Sequence, residues 1–260
     1  DRMLNVFWQL KAEMYYKNFR GVIVPEKLQG SRWYSAPTGD SVLSPRGWQT
    51  PVRIASDSLT SFPVNDAVGS SYGFEIMVQK IRSQPTEKFT GWISYTLSYA
   101  TRERDGIHTP FLFDQRHAMN VVGNYRLGES WEAGLRFTLR SGRPYPVALG
   151  IRPRVLVVTA NGRDTPIIQT NSQGKVILDV EYERDTFSGR LDLYHSLDLR
   201  LTTYPKWWGL TWSVYLDVTN ALNHQNVQQL NYYINERGVL STRRIDGIPI
   251  LPSVGMSVAF

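Results

Sequence analysis

Cysteine is absent from this 260-residue chain, which removes disulfide staples and thiolate metal sites and leaves the redox compartment unassigned. Also missing is any run of about 18 or more apolar residues, the length a helix needs to cross a bilayer. A helical membrane protein is thereby excluded. A membrane β-barrel is not, because barrel strands alternate and disappear in averaged hydropathy. No His-Glu-x-x-His pair occurs, and the four histidines, His108, His117, His195 and His224, fall in separate segments. His117, with Arg116 and Asp114 beside it, is where a catalytic reading would start, but no enzyme, metal or cofactor is expected. The formal charge of +6 is scattered without a basic stripe, so no nucleic-acid partner is expected either. What the chain does have is length enough for one substantial core and many aromatics, with 14 Tyr, 10 Phe and 8 Trp in a composition only 42% apolar.

The last stretch, from Gly247 to Phe260, shows the organising pattern. Ile248, Ile250, Pro252, Val254, Met256, Val258 and Phe260 alternate with a side that is small or weakly polar after Leu251. A period of two is a strand with unlike faces. Seven earlier segments obey the same rule: Leu4–Tyr16, Tyr72–Gln79, Phe89–Tyr99, Ala118–Leu127, Trp131–Arg140, Leu191–Thr202 and Leu210–Thr219. The clearest sets Trp131, Ala133, Leu135, Phe137 and Leu139 against Glu132, Gly134, Arg136, Thr138 and Arg140. With the apolar side toward lipid, the charges Glu75, Arg136, Arg140, Asp192, Asp198, Arg200 and Asp217 face an aqueous lumen, which avoids an arginine in hydrocarbon. His195 interrupts the apolar side of its strand and is expected to be a hydrogen-bonded histidine near one rim.

The connections sort by length. Those over about 19–68, 101–114, 141–189 and 220–247 are long, and the three between them are short. Outer-membrane barrels place long loops outside the cell and short turns in the periplasm, which puts both chain ends on the periplasmic side. Trp131, Trp207, Trp208, Trp212, Phe89 and Trp92 lie near the short turns, the level of an interfacial aromatic girdle. The fold expected is all-β, an antiparallel transmembrane β-barrel.

Several stretches resemble the carboxyl-terminal part of TonB-dependent outer-membrane receptors. They are Gly69-Ser-Ser-Tyr-Gly-Phe-Glu-Ile-Met-Val-Gln-Lys80, Phe89-Thr-Gly-Trp-Ile-Ser-Tyr-Thr-Leu-Ser-Tyr99, Phe113-Asp-Gln-Arg-His-Ala-Met-Asn120, Arg140-Ser-Gly-Arg-Pro-Tyr145, Asp217-Val-Thr-Asn-Ala-Leu-Asn223 and the terminal Phe260. The resemblance implies a place in the bacterial outer membrane and a 22-stranded barrel of which these strands are the last third. It also implies a plug domain that these residues do not include. A start at Asp1-Arg2-Met3 fits a fragment or processed piece. The function implied is uptake of a scarce siderophore, vitamin or glycan with TonB-coupled energy. The partners implied are outer-membrane lipids, upstream plug and barrel residues, a TonB-type coupler, a surface lipoprotein and the barrel assembly machinery, which would read Phe260.

Aromatics and an arginine in the long loops, Trp33, Tyr34, Trp48, Tyr232, Tyr233 and Arg237, are the candidate ligand contacts. Three alternatives stay open on the residues alone. Eight strands also make a closed barrel, which would require its inward charges to pair. A barrel can be a scaffold in an envelope complex without transporting anything. A soluble carbohydrate-binding sandwich would show the same alternation on core-facing strands.

Overall fold

The computed structural model describes residues 2–4, 7–81, 87–183 and 187–259. Eight strands form one antiparallel sheet: β1 (Trp8–Leu28), β2 (Ser58–Lys80), β3 (Phe89–Arg104), β4 (His117–Arg126), β5 (Trp131–Arg140), β6 (Tyr194–Thr203), β7 (Leu210–Thr219) and β8 (Leu251–Ala259). Each pairs with the next in chain order. Short strands Arg2–Met3, Ile107–Pro110 and Lys206–Trp207 lie against β1, β3 and β7. The chain is thus all-β and antiparallel, as its alternation requires. Among the described residues β1 and β8 do not pair with each other, so the sheet is open at both edges.

The register decides which side chains share a face, because residues directly opposite in an antiparallel ladder project the same way. One row runs Leu197, Phe137, Val121, Ile93, Val78 and Leu10 across six strands. The row through Leu216 adds Leu201 and Val254 from the strands on either side. All eight apolar stripes therefore lie on one face. That face is uncovered: Met14 is 86% exposed and Val254 76% exposed. Among the described residues Val24, Trp48, Ala67 and Val176 are buried apolar side chains, and Pro144 is fully buried. Among the described residues no second layer packs on the sheet, and what core there is sits among the connections at one end.

Aromatics bracket the apolar face. Trp8, Phe89, Tyr125, Trp131 and Trp212 lie toward the short turns. At the other end Tyr16, Tyr72 and Tyr99 form a register row with ring centroids 6.5 and 5.2 Å apart. The eight steps from Trp8 to Tyr16, at about 3.3 Å each, measure about 26 Å along the strand. At the usual tilt that is about 20 Å of height, a little under the apolar band of about 25 Å in outer-membrane barrels. The short turns, Leu127 to Ser130 and Tyr204 to Gly209, sit at one end, and the four long connections sit at the other. The third short turn, with Gln84 and Pro85, lies outside the described residues.

Three expected boundaries are corrected. The first strand starts at Trp8, not Leu4, with Arg2–Met3 folded back on Leu10 and Gln9. β1 and β2 continue through most of what reads as the first long loop, so that connection shrinks to residues 29–57. Proline ordinarily breaks a strand, yet Pro25 and Pro63 face each other across the ladder. Two prolines can do so only at a pair without hydrogen bonds between them. β3 has already stopped at that height, its last pair with β2 being Val68 with Glu103, so the missing N–H groups remove no ladder bond. Register shifts around Gly21, which has φ +65°, let the hairpin bend as it projects beyond the rest of the sheet. Finally, β6 starts at Tyr194 rather than Leu191, which leaves Asp192 on the rim.

Candidate functional site

The polar face carries charges at opposed positions of neighbouring strands. Arg136 of β5 stands across from Asp198 of β6, and Arg200 of β6 across from Asp217 of β7. Arg136 Nε and Nη2 donate to Asp198 Oδ2 at 2.9 and 2.6 Å. Arg200 grips both oxygens of Asp217 at 2.6 Å and lies 4.4 Å from the Tyr215 ring. Asp198 Oδ1 also accepts from Ser196 Oγ and from the Asn220 backbone N–H, so the ladder is joined to the left-handed corner at Asn220 that ends β7. A groove of about 330 Å³ runs beside these pairs. Arg140, Glu75 and Asp192 form no ion pair among the described residues, and Glu75 stands opposite another exposed carboxylate, Glu13. The fully paired interior that a closed eight-strand barrel would need is therefore not built.

Three of the long connections converge at the loop end of β5 and β6. Asp114, 2% exposed, accepts the Ala100 N–H and the Arg190 guanidinium, which also donates to the Asp114 and Gly142 carbonyls. At Gly142 a Cβ would lie 1.6 Å from the Leu191 carbonyl oxygen, so only glycine allows the two segments to touch. The Pro144–Tyr145 and Gly189–Arg190 strands pair directly above.

This clamp shapes a groove of about 460 Å³. Tyr145, Tyr182, Tyr232, Pro144 and Leu230 give it apolar walls, and Arg143, Gln228, Gln229 and Asn231 give it polar ones. Tyr182 and Tyr232 meet edge to face at 6.0 Å. Burial pushes the Tyr145 phenol up, and its neighbour Tyr232 adds to the shift, so Tyr145 remains a neutral hydroxyl at physiological pH. Arg143, Leu191 and Gln228 also line a second hollow of about 330 Å³ with Arg140, Asp192 and Tyr194. The two hollows share these residues as walls, and Arg140 in the second belongs to the polar face of the sheet.

Of the residues expected to contact ligand, Tyr232 lines this groove. Trp48 does not. It is buried, with its indole N–H donated to the Val42 carbonyl at 2.8 Å, and it serves as core for the connections. Trp33 and the exposed Tyr34 lie on a hairpin, Ser31–Tyr34 with Val52–Ala55, tied across by Arg32 to Glu181 at 2.6 Å. Tyr233 is exposed on the opposite side of its strand from Tyr232, and Arg237 is at an exposed hairpin tip. Phe260 lies outside the described residues. The sequence reading missed Tyr145, Tyr182, Arg143 and Asn231, although Arg143 and Tyr145 belong to the Arg140–Tyr145 segment it had singled out.

His195 is at the rim, its ring stacked on His224 at 3.7 Å, and its backbone is clipped on both sides by the Asn226 amide. His117 accepts or donates one hydrogen bond with the Tyr95 hydroxyl at 2.7 Å. Gly69 to Gly73 does spell Gly-x-Ser-x-Gly. Ser71, however, is in mid-strand, paired with Lys17 and Ala100, away from the strand-to-helix turn a nucleophile elbow requires.

No protein-family model matches the chain, and no curated protein does. Among solved structures, the crystal structure of the outer membrane transporter YddB from Escherichia coli is similar over 99% of this chain, at 12% identity and a TM-score of 0.49. The chain spans 31% of that transporter's length.

Proposed function

We propose that these residues form part of the wall and outer mouth of an outer-membrane transport barrel. The observation that supports this best is the register, which puts eight apolar stripes on one uncovered face and the charges on the other. Monomeric proteins in water rarely leave so large an apolar surface bare, and lipid is the solvent that makes it stable. The two aromatic levels and the one-ended long connections fit the same placement. Open edges with unpaired Arg140 and Glu75 favour a wide lumen shared with further strands over a small closed barrel.

In this reading the three-tyrosine groove captures ligand outside, and the hollow around Arg140 passes it toward the lumen. Flat rings with amides and one arginine suit a neutral or weakly anionic polyhydroxylated or chelate ligand. Coupling to a TonB-type partner is inferred from the resemblance of the strand and corner segments. A scaffold barrel without transport is the competing reading.

Brominated phospholipid separates membrane from water. Trp131 and Trp212 fluorescence is expected to be quenched in reconstituted membranes, and a protein that is monodisperse without detergent would sink the barrel. Uptake is tested separately, by following a panel of labelled glycans and metal chelates into cells carrying the full-length protein. Accumulation that stops when the inner-membrane proton gradient is dissipated supports transport, whereas no accumulation of any probe supports the scaffold.

A further inference from the structure

Just beyond the Tyr16–Tyr72–Tyr99 row the same outward face changes its chemistry. The next row is Asn18, Ser70 and Thr101, and the row after it is Arg20, Val68, Glu103 and His108. Ser70 Oγ and Thr101 Oγ1 lie 3.1 Å apart. These residues line a groove of about 300 Å³ together with Tyr16. His108 Nε2 is 3.6 Å from Glu103 Oε2, while Arg20 is exposed and forms no ion pair among the described residues. None of these groups belongs to the mouth groove or to the ladder on the polar face.

We propose that this groove binds the phosphorylated sugar headgroup of a membrane lipid. Height is the first argument. The Asn18 and Arg20 rows lie two and four residue steps beyond the tyrosine row, about 7 and 13 Å along the strand and about 5 and 10 Å in height at the usual tilt, the level where headgroups meet water if the tyrosines mark the interface. The second is chemistry. A guanidinium with no carboxylate of its own offers a forked pair of donors to phosphate. The Asn18 amide and the Ser70 and Thr101 hydroxyls can exchange hydrogen bonds with ring hydroxyls. Glu103 is a carboxylate in the same row, and it opposes an anion. Its place beside His108, away from the Arg20 end of the row, suits it to accept from a sugar hydroxyl instead. The third argument is direction: the groove opens sideways, on the face that carries the apolar stripes. A lipid can enter it while its chains remain against Met14, Phe74 and Tyr16.

The inference rests on the membrane reading of this face, so the test must fail differently from it. Native mass spectrometry of the full chain in neutral detergent, with added lipid, reads bound adducts directly. The probes are a diphosphorylated acylated glucosamine disaccharide, the same lipid without phosphates, phosphatidylcholine, and water-soluble glucosamine 1-phosphate. The diphosphorylated lipid is expected to be retained, with at least ten-fold less adduct in Arg20→Ala or Asn18→Asp and no change in Lys17→Ala, whose side chain is on the other face. An unchanged adduct in Arg20→Ala, or equal retention of phosphatidylcholine, overturns the proposal. Binding of glucosamine 1-phosphate as strong as that of the lipid would assign the groove to a free sugar phosphate and also overturn it. A failed membrane reading shows earlier, as a chain that needs no detergent at all.

Discussion

Arg190 reaches from the third long connection to the second and holds buried Asp114 twice, through the carboxylate and through the backbone carbonyl. Asp114 also accepts the Ala100 N–H at the top of β3. One carboxylate thus ties two connections to a wall strand, and the mouth groove is built on that junction. Removing one partner of a buried ion pair typically costs about 3–5 kcal/mol, since the other charge is left desolvated. Arg190 is only partly buried, so Asp114→Ala is expected at the lower end, about 3 kcal/mol. Arg190→Ala leaves the deeply buried acid with only the Ala100 N–H and the longer Arg116 pair at 3.8 Å, and is expected to cost a similar amount. Denaturant unfolding of both single variants and the double variant measures this, and additive losses would show that the clamp is not a unit.

The two ladder pairs are more exposed and should behave otherwise. The Arg136 side chain is 63% exposed, and exposed pairs contribute about 0–1 kcal/mol. Arg136→Ala is therefore expected to lower stability by less than about 1 kcal/mol. Asp198→Ala also removes the acceptor for Ser196 and for the Asn220 N–H, and its loss should be about 1–3 kcal/mol. Equal effects in thermal melts would contradict the view that Asp198 is chiefly an anchor for the Asn220 corner.

Asp179 gives the connections an acid limit. The Arg154 guanidinium, donating at 2.6 and 3.2 Å, holds the Asp179 carboxyl below its ordinary value of 3.8. A carboxyl depressed on folding stabilises the folded state at pH values above its unfolded pKa. That stability is lost as pH falls from about 4 through the lower folded value. The Ala148–Pro153 and Leu178–Tyr182 hairpin is expected to keep its amide protection unchanged from pH 7 to about 4.5 and to loosen below that. Asp179→Asn should abolish this acid-dependent step, and a step unaltered by the substitution would assign it to another group.

How much of this could be read from sequence follows from where the information is local. All eight wall strands were legible, because alternation needs only a residue and its neighbours but one. The sorting of connections followed, since length is also local. The extension of β1 and β2 was not legible: Pro25 and Pro63 are breakers in a strand with two neighbours, and only the three-dimensional end of β3 makes them harmless. The mouth was harder still. Tyr145, Tyr182 and Tyr232 are far apart in the chain and meet only because Asp114 and Arg190 do. Trp48, chosen for its size and loop position, proved to be core for the same reason that large aromatics usually are.

Tyr232 is the one expected contact that the mouth groove contains, and it gives a direct test of ligand capture. Tyr232→Ala removes a ring wall and the edge-to-face partner of Tyr182. A buried aromatic anchor at a binding site is commonly worth about 2 kcal/mol or more, which is about thirty-fold in affinity. Tyr233→Ala, one residue away but on the other side of the strand, is expected to leave binding within two-fold. Both should be measured on whichever probe the full-length protein takes up, by titration calorimetry in detergent. Equal loss in the two variants would point to a general loosening of the Val227–Ile234 strand rather than to a groove contact.

The apolar face itself makes the sharpest demand. An arginine at the bilayer midplane of a barrel costs about 2–4 kcal/mol on the lipid side and little on the lumen side. Leu199, flanked in register by Leu135 and Val218, is on the uncovered apolar face, and Ser213 of β7 is on the polar one, opposite Ser257. Leu199→Arg is expected to lower folding into lipid vesicles by that amount, while Ser213→Arg should change it by less than about 1 kcal/mol. The asymmetry should vanish in water, where either arginine is solvated. Near-neutral effects of both would mean that the eight stripes face something other than hydrocarbon. A loss confined to Ser213→Arg would mean that the sheet is seated with its faces reversed.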